Sequence, residues 1–164
     1  MGNFVTVAVA LGSNLGDRRA HLDFAVSRLE TVLSNLRASS YRDTDPVDVP
    51  GVQSLFLNAA ATGETDVSAR ELLGILLAIE RERGRERPFP GAARTLDLDL
   101  VLYGDLVTGE AELTVPHPRF RERRFVLEPL AEVAPDLIDP VTGLSVRALL
   151  QQLASRSHSP STSG

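Results

Sequence analysis

Between Val5 and Tyr103 the spacing of apolar residues alternates between strand-like runs and helical stripes, and that order restricts the fold more than any bulk property. VTVAVALG (5–12) reads as a buried first strand, ended by the turn-rich GSNLGD. From Asp17, a natural helix N-cap, apolar residues at Leu22, Ala25, Val26, Leu29, Val32, Leu33 and Leu36 predict a helix to about Leu36. RASSYRDT (37–44) predicts a second strand, DPVDVPGVQS (45–54) a loop, and LFLNAAATGET (55–65) a third strand. Ser68 and Glu71 form a capping box for a second helix, striped by Leu72, Leu73, Leu76 and Ile79 and ending near Gly84. ARTLDLDLVLYG (93–104) supplies a fourth strand. The order β-α-β-β-α-β predicts an α+β, ferredoxin-like core, an antiparallel sheet with its helices packed on one face. A C-terminal extension follows: a short strand and basic loop in ELTVPHPRFRERRF, a short helix in FVLEPLAEVAP, and a last helix near 146–154 capped by Ser145. The expectation is a single domain over residues 1–154 and a disordered polar tail, SRSHSPSTSG, over 155–164.

Two carboxylates interrupt the fourth strand. Alternate strand residues share a face, so Asp97 and Asp99 are expected to point with Val101 and Tyr103, and Leu96, Leu98, Leu100 and Leu102 the other way. At a rise of about 3.3 Å per residue the two carboxylates lie roughly 6–7 Å apart. Their repulsion is on the order of 2–3 kcal/mol at an effective dielectric of about 20. One reading is a solvated sheet face. The other is a site for divalent cations, since Mg²⁺ takes few carboxylate oxygens, keeps waters and shares substrate phosphates.

Charge patterning bears on the choice. The net charge is −5, which speaks against general nucleic-acid binding, and all 17 basic residues are Arg. Without Lys the chain has neither a Walker A phosphate loop nor a Schiff-base lysine. Without Cys it has no disulfide, zinc–thiolate site or thiol nucleophile. No secretory signal or apolar run of about 20 residues is present, so a cytoplasmic protein is expected, with no membrane partner. Nine arginines fall within residues 81–124 and bracket the two aspartates. They are either exposed partners for Glu80, Glu82, Glu86 and Glu122 or planar donors for a polyphosphate. Residues 81–94, with five arginines, two prolines and two glycines, are expected to order only when phosphate binds. His117 sits between two prolines, and Phe56 and Asn58 share a strand face as core residues or as the floor of a pocket for a flat heterocycle.

Taken together, ALGSNLGDR, FLNAA, ARTLDLDLVLYG and LTVPHPRFRERRFVLEPLAEVAP resemble, in order and spacing, 6-hydroxymethyl-7,8-dihydropterin pyrophosphokinases of folate biosynthesis. The resemblance runs from about Val5 to Leu153. It implies transfer of the diphosphoryl group of ATP to the pterin hydroxymethyl group, releasing AMP. By the same resemblance Asp97 and Asp99 would hold two Mg²⁺ ions, and Arg85 and Arg94 would steady charge on the transferred group. Glu80, Arg87, Thr114, His117 and Arg123 would meet ATP. Phe56 and Phe125 would sandwich the pterin ring, with Asn58, Thr44 and the backbone around Pro46 and Val47 at its polar edge. A monomer is expected, with these two small molecules as partners. The chain has Gly-Ala-Ala at 91–93 where the family commonly has Trp-Gly-Pro, and Asp45 where a proline is common; Phe89 is the candidate substitute for the aromatic. Two rivals remain at this stage. A nucleotidyltransferase also joins a Gly-Ser turn to D-x-D, but Gly12-Ser13 lies far from Asp97 in sequence; a non-catalytic nucleotide-binding module is the other.

Overall fold

A computed structural model describes residues 3–44, 56–83 and 95–158. The sheet is built on β1 (Val5–Ser13), which pairs antiparallel with β4 (Phe56–Thr65) on one side and β5 (Asp97–Tyr103) on the other. β2 (Ser34–Ala38) and β3 (Arg42–Thr44) both pair antiparallel with β4, giving the order β2-β4-β1-β5 with β3 beside β2 on β4. This is the ferredoxin-like plan expected from the apolar periods. Among the described residues no helix is long and apolar enough to cross a membrane.

α1 (Arg18–Val32) begins as expected, with the Asp17 carboxylate accepting from the Ala20 N–H at 3.1 Å. It ends four residues before Leu36, the expected end. Leu33 is extended, its N–H closes on the Leu29 carbonyl, and Asn35, within β2, takes a positive φ of 53° where the register with β4 shifts between Ser34 and Arg37. Leu33 is core in either conformation, so the helical stripe ran on past the true end; pairing with β4 decided it. The expected second strand is likewise two strands. Between them Ser39 donates its N–H to Ala60 O and accepts the Ala60 N–H on its hydroxyl. α2 (Ala69–Glu82) carries the expected capping box, with Ser68 Oγ accepting from Glu71 N–H and Glu71 Oε1 from Ser68 N–H.

Alternation along β1 and β4 splits the interior into two layers. Val7, Val9, Leu11, Leu57, Ala59 and Ala61 pack under Leu22, Leu29, Leu72, Leu76 and Ile79 of α1 and α2. On the opposite face Ala8 and Ala60 lie under α3 (Arg124–Val133) and α4 (Val146–His158), against Val126, Leu127, Leu130, Val146 and Leu149. α4 runs through His158, so the first residues of the expected polar tail are helical; 159–164 lie outside the described residues.

β5 departs from simple alternation. Its partners shift at Ala8/Val9, where Val9 faces Leu100 and Ala8 faces Leu102, leaving Val101 as the extra residue of a bulge. Val101 and Leu102 therefore both enter the α3–α4 layer, and Tyr103 packs on the α1–α2 layer, its hydroxyl donating to Val67 O. The expectation that Tyr103 shares a face with the aspartates, and that Leu102 opposes it, is corrected by this bulge. The aspartates precede it and keep their common face. A hairpin of β6 (Thr108–Glu110) and β7 (Leu113–Val115) follows; only β7 was expected.

The α3 layer is tied to the sheet edge by Glu132. Its carboxylate accepts from Ser40 N–H (2.9 Å), Ser40 Oγ (2.8 Å) and the Arg42 guanidinium (3.0 Å). The Ser40 amide, then the Ser40 hydroxyl and Arg42, hold this carboxyl below the usual carboxylate range. A depressed carboxyl contributes stability above its unfolded pKa and loses it as pH falls through the folded value. Glu132→Gln should therefore lower the thermal midpoint at neutral pH, and the gap from wild type should close below about pH 4, read by thermal unfolding across that range. Gly63 faces Leu33, where an added Cβ would lie 2.8 Å from Leu33 Cβ and 3.1 Å from Ser34 O. Gly63→Ala should cost about 1–3 kcal/mol in denaturant unfolding.

Candidate active site

The strand register gathers the polar residues. Gly12 on β1 faces Asn58 on β4 and Asp97 on β5; two pairs along, on the same face, Ala10 faces Ala60 and Asp99. Directly opposed residues project to the same side, so Asn58, Asp97 and Asp99 rise from one sheet face around two small residues. Phe56 lies on that face two residues before Asn58. A Cβ on Gly12 would sit 3.2 Å from Asn58 Oδ1 and 4.0 Å from Phe56 Cδ1, so the missing side chain lets both groups approach the strand. Asn58 is buried, while Phe56, Asp97 and Asp99 are half-buried. Thr44, at the end of β3, stands opposite Phe56 in the register.

Glu80 supports this face from below. It is buried near the end of α2, and its Oε2 accepts the Leu98 N–H at 2.6 Å, on the backbone link between Asp97 and Asp99. Among the described strands β5 lies at the edge of the sheet, so this bond gives the Leu98 N–H an acceptor outside the strand ladder.

The segment after β7 forms a wall beside the aspartates. The His117 N–H donates to Val101 O at 2.9 Å, and its ring Nδ1 accepts the Arg119 N–H at 3.2 Å, which leaves Nε2 as the protonated nitrogen of the neutral ring. Burial pushes the His117 pKa down, the Arg123 and Arg119 charges push the same way, and the Asp97 carboxylate opposes them. The imidazole is thus neutral at pH 7 and within electrostatic reach of Asp97. The Arg123 guanidinium lies 5.5 Å from the centroid of the Phe125 ring, at the start of α3. Thr114 is exposed on β7, with its hydroxyl donating to Glu110 O at 3.3 Å.

Asp97, Asp99, Asn58 and Phe56 are brought together, and His117 is coupled to Asp97. Arg85, Arg87, Arg94, Pro46 and Val47 lie outside the described residues, as do Asp45, Phe89 and the Gly-Ala-Ala segment. Ser13 and Asn14 are buried polar residues at the end of β1, marked in the sequence only as a polar pair closing an apolar run. Among the described residues no three His, Asp or Glu side chains converge as a metal cage. Two carboxylates on one face still fit Mg²⁺, which completes its shell with water and phosphate oxygen.

A sequence model of the 7,8-dihydro-6-hydroxymethylpterin-pyrophosphokinase (HPPK) family matches residues 8–135. The 2-amino-4-hydroxy-6-hydroxymethyldihydropteridine pyrophosphokinase of Synechocystis is 41% identical over 147 residues, covering 88% of this chain and 74% of its own. The Bacillus subtilis protein of the same name is 42% identical over 127 residues, covering 76% and 75%. The crystal structure of Plasmodium falciparum HPPK-DHPS with pteroate superposes with a TM-score of 0.76 at 14% identity, over 95% of this chain. This chain spans 43% of that longer one, and the likeness bears on fold alone. A family match across most of the described fold, joined to two relatives about 40% identical and covered over about three quarters of their own length, leads to one conclusion: the chain belongs to the HPPK family.

Proposed function

We propose that this chain transfers the β,γ-diphosphoryl group of ATP to the hydroxymethyl oxygen of 6-hydroxymethyl-7,8-dihydropterin and releases AMP. The observation that carries this reading is the register row Asn58–Gly12–Asp97, with Asp99 two pairs along on the same face. It sets an amide suited to a heterocycle edge and a carboxylate pair suited to Mg²⁺ on one rigid face. Family membership supports the reaction class and the pterin substrate.

In the reaction the hydroxymethyl oxygen bonds to the β-phosphorus while the bond from that phosphorus to the α–β bridging oxygen breaks, leaving AMP. Such a transfer asks no covalent nucleophile of the protein, which has no Cys or Lys to offer. It asks for alignment and for charge placed where negative charge develops. Asp97 and Asp99 would hold two Mg²⁺ ions. Bound there, Mg²⁺ supplies Lewis-acid neutralisation of the triphosphate oxygens. Neutral His117, with Nε2–H available, serves as a donor to the nucleotide without adding a titrating charge, beside Thr114 and Arg123. Phe56 and Phe125 stack the pterin, and Asn58 meets its polar edge together with Thr44 and the backbone of Pro46 and Val47. Arg85 and Arg94 stabilise the transferred group, and Arg87 binds the phosphates. Glu80 acts through β5, holding the backbone that carries both aspartates.

Incubation with ATP, Mg²⁺ and hydroxymethyldihydropterin should yield AMP and pterin diphosphate in equal amounts. Release of pyrophosphate would indicate a nucleotidyltransferase, and absence of turnover a binding module; either outcome overturns the proposal. Asp97→Asn or Asp99→Asn should keep or raise the thermal midpoint yet lower turnover by on the order of 10³. Arg94→Ala should depress kcat far more than ATP affinity, whereas exposed Arg119→Ala should change neither; steady-state kinetics beside calorimetry separate the two. Gly12→Ala should push the Asn58 amide aside and raise the pterin KM by about tenfold, the loss of roughly one hydrogen bond.

A further inference from the structure

The loop between α3 and α4 lies outside the β-α-β-β-α-β core, yet its one fully buried charge reaches back to the wall of the site. Asp139 has no exposed surface, and its carboxylate accepts from four donors. Arg121 supplies Nε at 2.6 Å and a terminal nitrogen at 3.0 Å, Thr142 its hydroxyl at 2.7 Å, and Val141 its N–H at 3.0 Å. The loop is itself closed by Gly143 N–H on Asp139 O, Asp139 N–H on Leu144 O and Val146 N–H on Leu137 O. Asp139 is thus a fixed point, and among the described residues Arg121 is the one distant in sequence that bonds its carboxylate.

Arg121 sits in a single 3-10 turn, Phe120–Glu122, with His117 before it and Arg123 and Phe125 after it. That turn has little local support. It carries no side-chain cap, and its backbone bonds from Phe120, Glu122 and Arg123 are 3.4, 3.0 and 3.2 Å long. Short 3-10 turns of this kind take their placement from outside contacts. Among the described residues His117, ahead of the turn, is held by its N–H on Val101 O, while the turn itself offers two side chains: the fully buried Phe120 ring, and the Arg121 guanidinium, which lies 4.7 Å from that ring's centroid while it forks onto Asp139. An apolar ring can slide within a core, whereas a bidentate fork fixes both distance and plane.

We propose that Arg121 and Asp139 are positioning residues for nucleotide binding: their fork sets the turn that keeps His117 and Arg123 at the face of Asp97 and Asp99. What those two residues bind rests on the function proposed above. The sequence offers Glu80, Glu82, Glu86 and Glu122 as exposed partners for this arginine cluster; Arg121 instead uses a buried carboxylate 18 positions further along. Burial raises the Asp139 carboxyl, but the bonds from Arg121, Thr142 and Val141 outweigh it and leave the carboxyl below its usual range.

The test uses the full chain, with wild-type AMP production as the first measurement. If wild type makes no AMP, the proposed function has failed, and binding of a non-hydrolysable ATP analogue then tests the fork alone. Arg121→Lys keeps the charge and loses the fork. It should stay folded, raise the KM for ATP and the dissociation constant of the analogue on the order of tenfold, and change kcat and the pterin KM less than about threefold. Adding Asp139→Glu, whose longer side chain reaches the shorter lysine, should recover most of the lost affinity. If Arg121→Lys does not fold, Thr142→Val decides the matter: it removes one bond to Asp139 without removing a charge and should shift ATP affinity in the same direction, by a few-fold. Unchanged ATP affinity in a folded variant, or a parallel loss of kcat and both KM values, would overturn the proposal.

Discussion

Everything in this molecule is referred to β1. It joins β4 to β5, with strands bonded on both its sides, and its two faces ask for opposite things. Val7, Val9 and Leu11 fill the layer beneath α1 and α2, while Ala8, Ala10 and Gly12 keep the other face low. Low side chains on that face let α3 and α4 approach at one end and let Asn58, Phe56 and the two aspartates lean inward at the other. A larger residue at position 12 would meet the Asn58 carboxamide at once. The same strand therefore sets core, layer spacing and site, and a one-residue slip in its register would send the aspartates into the apolar layer.

The second organising force is the placement of charge in a chain with many arginines and a net negative balance. Several arginines are engaged with carboxylates other than the Asp97–Asp99 pair: Arg28 with Glu82, Arg18 with Asp43, Arg42 with Glu132 and Arg70 with Glu110. These pairs are exposed and individually worth little. They are not interchangeable, however, because each joins elements that the sheet alone leaves unconnected. Arg42 and Ser40 hold β3 and its approach to α3 through Glu132. Arg121 holds the wall of the site through Asp139.

The site is consequently an assembly of two halves. The aspartates and Asn58 belong to the sheet and move with it, while His117, Arg123 and Phe125 belong to the C-terminal layer. Their meeting depends on bonds between layers: His117 N–H on Val101 O, at the β5 bulge, and the packing of α3 against β4. The bulge serves that meeting. By turning both Val101 and Leu102 toward α3 and α4, it buries on one face residues that strict alternation would have divided between two.

What the sequence by itself determined was everything governed by local period and local bonding. The first, third and fourth strands, the Asp17 cap, the Ser68–Glu71 box and the shared face of Asp97 and Asp99 follow from spacings of two, three or four residues, which operate within one element. The family motifs lie on those same stretches, so the reaction class was legible with them. Tertiary structure decided what depends on partners remote in sequence. Leu33 leaves the helix because β4 offers a strand to pair with; the stripe could not report this, since its side chain faces the core in both states. Tyr103 changes face because a bulge is a mismatch between two strands and exists in neither alone. Arg121 finds Asp139, and Glu80 finds the Leu98 amide, across loops that no short-range pattern spans. A hydrogen bond or ion pair between distant residues leaves no period in the chain; only the folded geometry brings its two ends together.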